Sequence, residues 1–305
     1  MNENKMLNSH IENAINKVET SIWDSDHIKS DQFFTDLIVH ERQNPTTLVF
    51  EDKSTGELVK GSHHANYPHE VHEIINKFII GKEDKVRYLE IGVDEGCTFN
   101  KVKVTDDHKH GVDPYGGCEN ITHKMSSQEF FTYNKYFWKN TYDIIFIDGL
   151  HLSDIIIQEV KESLKILNPG GYILLHDVVP LYQSRQEVWW GDYEGFLESK
   201  INFKEENKSF HEYSKEKPWI GMNGDSWKAM AALRTHTDLC IASFPTACCG
   251  LVSKSIGNFG FEKPPIPDDG MYTWKYFQEN MDTILNPIAM AQIDSLSKTL
   301  CWKGE

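Results

Sequence analysis

The chain has 305 residues, enough for one large domain or two modest ones, with a core that needs no metal or disulfide staples. A hydrophobic share of 39% with 25% charged residues argues against global disorder, and 46 acidic against 31 basic residues leave a formal charge of −15. So acidic a surface repels phosphate backbones and anionic lipid, which disfavours nucleic-acid and membrane partners. No apolar run approaches the roughly 20 residues that cross a bilayer. The opening MNENKMLNSHIENAINK has no signal-peptide apolar region. Six scattered cysteines without a CxxC pair read as reduced thiols rather than a disulfide framework or zinc ribbon. The expected location is the cytoplasm.

Residues 1–60 are polar apart from short stretches such as Phe33–Val39. Pro68 stands at a first helical position, and Val71, Ile74, Ile75, Phe78 and Ile79 follow at helical spacing, so 68–80 is predicted to be an amphipathic helix. From Val86 the texture changes. Val86–Ile91 is a short apolar run that ends in Gly92-Val93-Asp94-Glu95-Gly96 and a helix. Tyr142–Ile147 is another, ending at Asp148-Gly149-Leu150-His151. Ile156, Ile157, Val160, Leu164 and Leu167 form a helical stripe over 153–167, stopped by Asn168-Pro169-Gly170-Gly171. Tyr172–Leu175 then makes a further strand, ending at His176-Asp177. A helix near 225–235 and two strands, Leu239–Phe244 and Gly250–Val252, come later.

Short, near-continuous apolar strands alternating with helices predict an α/β domain whose parallel sheet is covered on both faces. The expected division is a mostly helical extension over 1–80, a core domain over 81–260 and a tail over 261–305 with one or two helices. Within the core, 181–223 is long for a simple connection and reads as a lid or substrate wall. Trp189, Trp190, Tyr193 and Trp219 in it suit either stacking on a sugar ring or packing of a lid.

A strand running into glycines lets a ligand approach the backbone closely, because no Cβ intervenes. The spacing here is GxxxG rather than GxGxxG, which disfavours a pyrophosphate-binding dinucleotide fingerprint. Glu90 at the strand end suits a cationic ligand better than a phosphate. Asp113, in His110-Gly111-Val112-Asp113-Pro114, is an acid at the tip of a short second strand, a position that commonly takes two ribose hydroxyls. Taken singly, these residues are equally well explained as turn formers.

Together and in order, Glu90, Gly92, Gly96 and Asp113 resemble the motifs of class I S-adenosylmethionine-dependent methyltransferases. The resemblance implies a Rossmann-like, seven-stranded, mostly parallel sheet with helical additions at both ends. It also implies that the turn at Gly92 wraps the methionine part of the cofactor and that Asp113 holds its ribose. Ser127 and Gln128 lie where this family usually contacts adenine.

Asp148, His151, His176 and Asp177 stand at the carboxyl ends of two predicted parallel strands, where open α/β sheets place their ligands. Asp148 and Asp177 would share a divalent cation, and His151 would act as a base toward a hydroxyl. The alternative is structural: an aspartate capping the next helix and a hydrogen-bonded core histidine. DGLH, a helix, NPGG and HDxxP resemble the subgroup of antibiotic and macrolide-sugar O-methyltransferases. In its metal-using members the DxxH supplies one ligand and the base, and an acidic pair after the next strand supplies two more. The implied metal set here is Asp148, His176 and Asp177. His176 replaces the glutamate of those members, which weakens the case for Mg²⁺ and admits Mn²⁺ or no metal.

Gly224-Asp225-Ser226-Trp227-Lys228-Ala229, with Leu233-Arg234, also resembles a stretch of bacterial members found with sugar genes. The expected acceptor is a sugar, nucleotide sugar or glycosylated metabolite, and homo-oligomerisation is compatible with this reading. An aminopropyl transferase and a non-catalytic binding module on the same fold are the rivals. His63, His64, His69 and His72 lack a clean fourth zinc ligand and read better as a polar helix entrance. Tyr67 and His69 remain candidate substrate contacts. Cys248-Cys249 reads as core or turn, with no histidine partner in sequence.

Overall fold

The computed structural model describes residues 69–180, 224–253, 262–268, 270–289 and 293, together with the backbone of 49–52 and 57–60. His63, His64, Tyr67, the segment 181–223 with its aromatic residues and the chain beyond 293 lie outside the described residues. Val49–Asp52 (β1) and Glu57–Lys60 (β2) form an antiparallel hairpin in a region read from sequence as merely polar. The amphipathic helix is Val71–Ile79 (α1), and all five of its predicted apolar positions are buried.

The central sheet consists of Tyr88–Ile91 (β3), Lys109–Val112 (β4), Tyr142–Ile147 (β5), Leu167–Leu175 (β6), Cys240–Phe244 (β7) and Cys249–Ser253 (β8). Its order is β4-β3-β5-β6-β8-β7. The first four strands are mutually parallel, and β8 runs antiparallel to both β6 and β7. Every residue of β3, β5 and β8 is buried, as expected of strands covered on both faces. Alternation along β5 assigns Ile144 and Phe146 to the side of α1, and Ile145 and Ile147 to the other. That second side is covered by Ser127–Tyr133 (α2), Ser153–Ile166 (α3), Ser226–His236 (α4) and Trp274–Leu285 (α5).

The sheet therefore has six strands among the described residues, not seven. Beyond β4 the edge carries a single parallel bridge between Val112 and His123. His123 N–H donates to Gly111 O at 2.9 Å and His123 O accepts from Asp113 N–H at 3.2 Å. The pairing stops there because Ser126, three residues on, already caps α2: its hydroxyl accepts from Glu129 N–H while the Glu129 carboxylate returns to Ser126 N–H. A second correction concerns 168–171. These residues do not form a loop between helix and strand; they belong to β6, whose register against β5 jumps from Tyr142↔Leu167 to Ile144↔Tyr172. The surplus residues bulge, with Gly170 at φ 80° and Gly171 so close to the neighbouring strand that a Cβ would stand 2.6 Å from Asp143 O.

Candidate functional site

The strand ends of β3, β5 and β6 lie side by side and place their trailing residues together. Gly92 N–H donates to Val112 O at 2.9 Å, Asp148 N–H to Ile91 O at 2.8 Å and His176 N–H to Ile147 O at 3.0 Å. The sheet hydrogen bonding thus continues one residue past the strands, into the glycine turn and the two acidic tips. Gly92 has φ 84°, and a Cβ on it would meet Asp148 O at 2.1 Å. Only glycine lets β3 and β5 approach so closely where they end.

Asp113 follows β4 and folds back over the glycine turn. Its Oδ2 accepts from Val93 N–H at 3.1 Å and Asp94 N–H at 2.9 Å, and its Oδ1 from Tyr115 N–H at 2.7 Å. Gly96, at φ 81°, packs over Asn100 and Cys118. Glu90 is placed differently from the other motif residues. It is buried within the sheet, and its carboxyl accepts a 2.5 Å hydrogen bond from the Tyr88 hydroxyl. Burial pushes the Glu90 carboxyl up to about 8, with the Tyr88 hydrogen bond acting the other way.

This shift has a thermodynamic consequence. The folded protein keeps the Glu90 proton up to about pH 8, whereas an unfolded chain releases it near the ordinary 4.5. The unfolded state binds fewer protons in that window, so this contribution to stability is complete below 4.5 and is lost as pH rises to about 8. Glu90→Gln, which mimics the protonated acid, should flatten the decline of melting temperature across this range, as read by calorimetry at a series of pH values.

Four residues converge beyond β5 and β6. Asp148 Oδ1 lies 2.9 Å from both His151 Nε2 and His176 Nδ1. Asp177 Oδ2 lies 3.3 Å from His151 Nδ1, and its Oδ1 3.8 Å from His176 Nδ1. Burial works against ionisation of Asp148, yet the two imidazoles outweigh it and hold its carboxyl well below the usual range. For His176, burial opposes the charged ring, but Asp148 and Asp177 overcome it and push the imidazole up to about 10. His151 is raised as well, against the cost of burial, by Asp177 and Asp148. The backbone here is strained: His151 has φ 56° and Asp177 φ 55°, both in the left-handed region that costs non-glycine residues about 1–3 kcal/mol.

Asp148, His151 and His176 each offer one donor atom, all within 4.8 Å of one another, a spacing that would fit a metal ion. The cluster thus includes His151, which sequence had assigned only as base, while Asp177 closes it from the far side of that ring. Ser127 and Gln128 form the first turn of α2. Ser127 hydrogen-bonds Glu159, a buried residue of α3 whose Oε1 lies 3.6 Å from the position a Cβ would take on Gly149. Gln128 is exposed.

Sequence reasoning missed Tyr88, Glu159 and the part played by Asp225. Asp225 is buried and accepts from Ser153 N–H at 2.7 Å and Ser153 Oγ at 2.9 Å, at the start of α3. An aspartate before an apolar helical run reads as a cap for that run, which hides a role at a helix 72 positions away in sequence. His69 precedes α1 and its N–H donates to Thr246 O, while His72 lies in the first turn of α1, 3.0 Å from Glu70. Cys248 and Cys249 are buried, and burial pushes the Cys249 thiol up, which opposes thiolate chemistry.

Residues 39–178 match a family model described as a methyltransferase domain. No curated protein sequence matches the chain. Among solved structures it is similar to the O-methyltransferase TomG from Streptomyces achromogenes, involved in tomaymycin synthesis and solved with S-adenosylmethionine. That similarity has 12% identity and a TM-score of 0.38, and covers 78% of this chain and 96% of that one. It is similar to the methyltransferase MycE of the mycinamycin biosynthetic pathway, solved with Mg and S-adenosylhomocysteine, at 14% identity and a TM-score of 0.33. Here 68% of this chain and 54% of that one are covered. An O-methyltransferase from Bacillus cereus is similar at 12% identity and a TM-score of 0.36, over 79% of this chain and all (100%) of that one.

The parallel strands that end in the glycine turn and the acidic tips all lie within the segment that matches this methyltransferase-domain model. Methyl transfer is the activity that this match assigns to the segment. Among the described residues no helix is long and apolar enough to cross a membrane.

Proposed function

We propose that this enzyme is an O-methyltransferase acting on a hydroxyl of a sugar or sugar-bearing small molecule, with His151 as the general base. The observation that carries the reading is the His151 imidazole held between two carboxylates, 2.9 Å from Asp148 and 3.3 Å from Asp177. A hydroxyl is a poor nucleophile at neutral pH, so a positioned base is what such a transfer needs. Nε2–H stays on Asp148, and His151 takes the proton on Nδ1 from an acceptor hydroxyl that enters between that nitrogen and Asp177; its new positive charge and that of His176 then face the two carboxylates of Asp148 and Asp177. The cluster is then electrically balanced, which favours the protonated ring despite burial.

S-adenosylmethionine, when bound, supplies an electrophilic methyl group on a positively charged sulfur. The chain's part is to hold that cation against the turn Gly92–Gly96, with the acidic tips facing it and Asp113 offering its remaining lone pairs to the ribose. Ser127 and Gln128 are assigned to the adenine side. Glu90 acts from within the sheet, beneath the turn.

For a metal, the proposed donors are Asp148, His176 and Asp177; Asp148 and His176 group with His151 within 4.8 Å of one another, and Asp177 lies outside that group. An imidazole among the donors suits Mn²⁺ or a softer ion better than Mg²⁺, whose preference is for oxygen. The chemistry such an ion would supply is polarisation of the acceptor hydroxyl.

The test has two stages. Isothermal titration with S-adenosylhomocysteine should show binding; none at high-micromolar ligand would remove the foundation. The enzyme is then incubated with S-adenosylmethionine and a panel of sugars, nucleotide sugars and glycosides, with and without Mn²⁺ or Mg²⁺. Mass spectrometry should find a product heavier by one methyl group. A product carrying an aminopropyl group, or methylation at nitrogen or sulfur, would refute O-methyl transfer.

A further inference from the structure

We propose that Asp225 is a positioning residue that locks His151 into its place between Asp148 and Asp177. The inference rests on the base assignment and extends it to a part of the chain that touches none of the reacting groups.

The left-handed conformation of His151 needs an external hold, and the pair Gly224-Asp225 provides it at three points. Asp225 N–H donates to His151 O at 3.1 Å. The Asp225 carboxylate accepts from both Ser153 N–H and Ser153 Oγ, two residues further along. Gly224, at φ 51°, lies so close beneath His151 that a Cβ on it would stand 2.2 Å from His151 O and 2.9 Å from His151 Cβ.

The direction of these bonds is informative. Leu152, the residue before α3, has no side chain able to cap it. Asp225 precedes α4 in the same way, yet its carboxylate makes no cap bond to its own helix. It serves α3 instead, at the end where the helix dipole favours negative charge. Lys228 Nζ, 3.6 Å from Asp225 Oδ2, balances the buried charge. A helix cap that spans two elements and grips residues 151–153 fixes the backbone from which the His151 ring projects.

The test uses the full chain with Asp225→Ala, Asp225→Asn and Ser153→Ala. Three properties are read: affinity for S-adenosylhomocysteine, the crystal structure at residue 151, and carbethoxylation of His151 by diethyl pyrocarbonate, followed by mass spectrometry. In Asp225→Ala, affinity should be unchanged, while His151 leaves the left-handed region and its Nε2 parts from Asp148. Its carbethoxylation should rise several-fold. Asp225→Asn keeps an acceptor for Ser153 N–H and should restore most of the wild-type geometry and reactivity.

With an acceptor from the panel, Asp225→Ala should lower kcat by about 10²-fold, the typical cost of an ångström-scale misplacement, with KM for S-adenosylmethionine unchanged. A crystal of Asp225→Ala with His151 in its original place, or carbethoxylation at the wild-type rate, would overturn the proposal. Should that variant not fold, Ser153→Ala decides by the same readouts, since it removes the Ser153 Oγ contact with Asp225: carbethoxylation of His151 above the wild-type rate would support the proposal, and wild-type geometry and reactivity would overturn it. Failure of the wild type to bind S-adenosylhomocysteine would strike the cofactor reading alone, because the geometry at residue 151 is measured independently of it.

Discussion

His151→Ala should abolish most methyl transfer while leaving affinity for S-adenosylhomocysteine close to that of the wild type. The expected loss in kcat is about 10²–10⁴-fold, the range that general-base assistance supplies. His151 reaches Asp148 and Asp177 but lies beyond the glycine turn that would grip the cofactor, so truncation removes proton transfer without removing the binding surface. The measurement is a pair: titration with the product cofactor, and turnover on an acceptor from the panel. Equal losses in both would mean that the imidazole holds the cleft together and is not a base. Unaltered turnover would move the base elsewhere, with Asp177 the nearest alternative.

The second large effect is expected at Gly92→Ala. The new methyl group would stand 2.1 Å from Asp148 O, 2.5 Å from Asp148 C and 2.8 Å from Gly149 Cα, all of them backbone atoms. Backbone cannot swing aside as a flexible side chain can, so β3 and β5 must part where they end. To this is added the dihedral cost at φ 84°. The two effects together come to about 2–5 kcal/mol. Gly81→Ala is the matched control. It shares a positive φ, 73°, but a Cβ there meets nothing within 4 Å, so only the dihedral cost, about 1–2 kcal/mol, applies. Denaturant melts of the two variants separate close approach from conformation. Equal destabilisation would show that contact with Asp148 is unimportant.

Much of this architecture could be read from the chain. The runs Val86–Ile91 and Tyr142–Ile147 are apolar on both faces because helices cover both sides of the sheet, and that pattern survives translation into structure almost unchanged. The stripe of Ile156, Ile157, Val160 and Leu164 likewise becomes the buried face of α3. What could not be read depended on contacts remote in sequence. The residues Asn168–Gly171 have every mark of a turn, yet neighbouring β5 draws them into β6 as a bulge. No local signal tells that the segment after β4 pairs through His123 alone, since the capping box at Ser126 competes for the same residues.

At the site, residue types and spacing sufficed to bring Asp148, His151, His176 and Asp177 forward, because strand ends in a parallel sheet necessarily adjoin. The assignments within that group were less legible. Sequence separated a metal set from a base, whereas the fold hands the same Asp148 oxygen to both histidines. Glu90 was read as facing the ligand, but alternation along β3 cannot reveal that Tyr88, two residues earlier on the same face, takes up its carboxyl. Asp225 was noticed only as part of a familiar run of residues.

The three left-handed residues beside the strand ends, Asp94, His151 and Asp177, have a bearing on how this enzyme would respond to selection for heat resistance. Glycine adopts that backbone geometry freely, so replacement by glycine at any of the three would relieve tension in the native fold, against some gain in disorder of the denatured chain. A thermostability screen blind to turnover would therefore be drawn to exposed Asp94, whereas at His151 and Asp177 the partly buried charges on Asp148 and His176, each left one partner short, would cost more than the tension relieved.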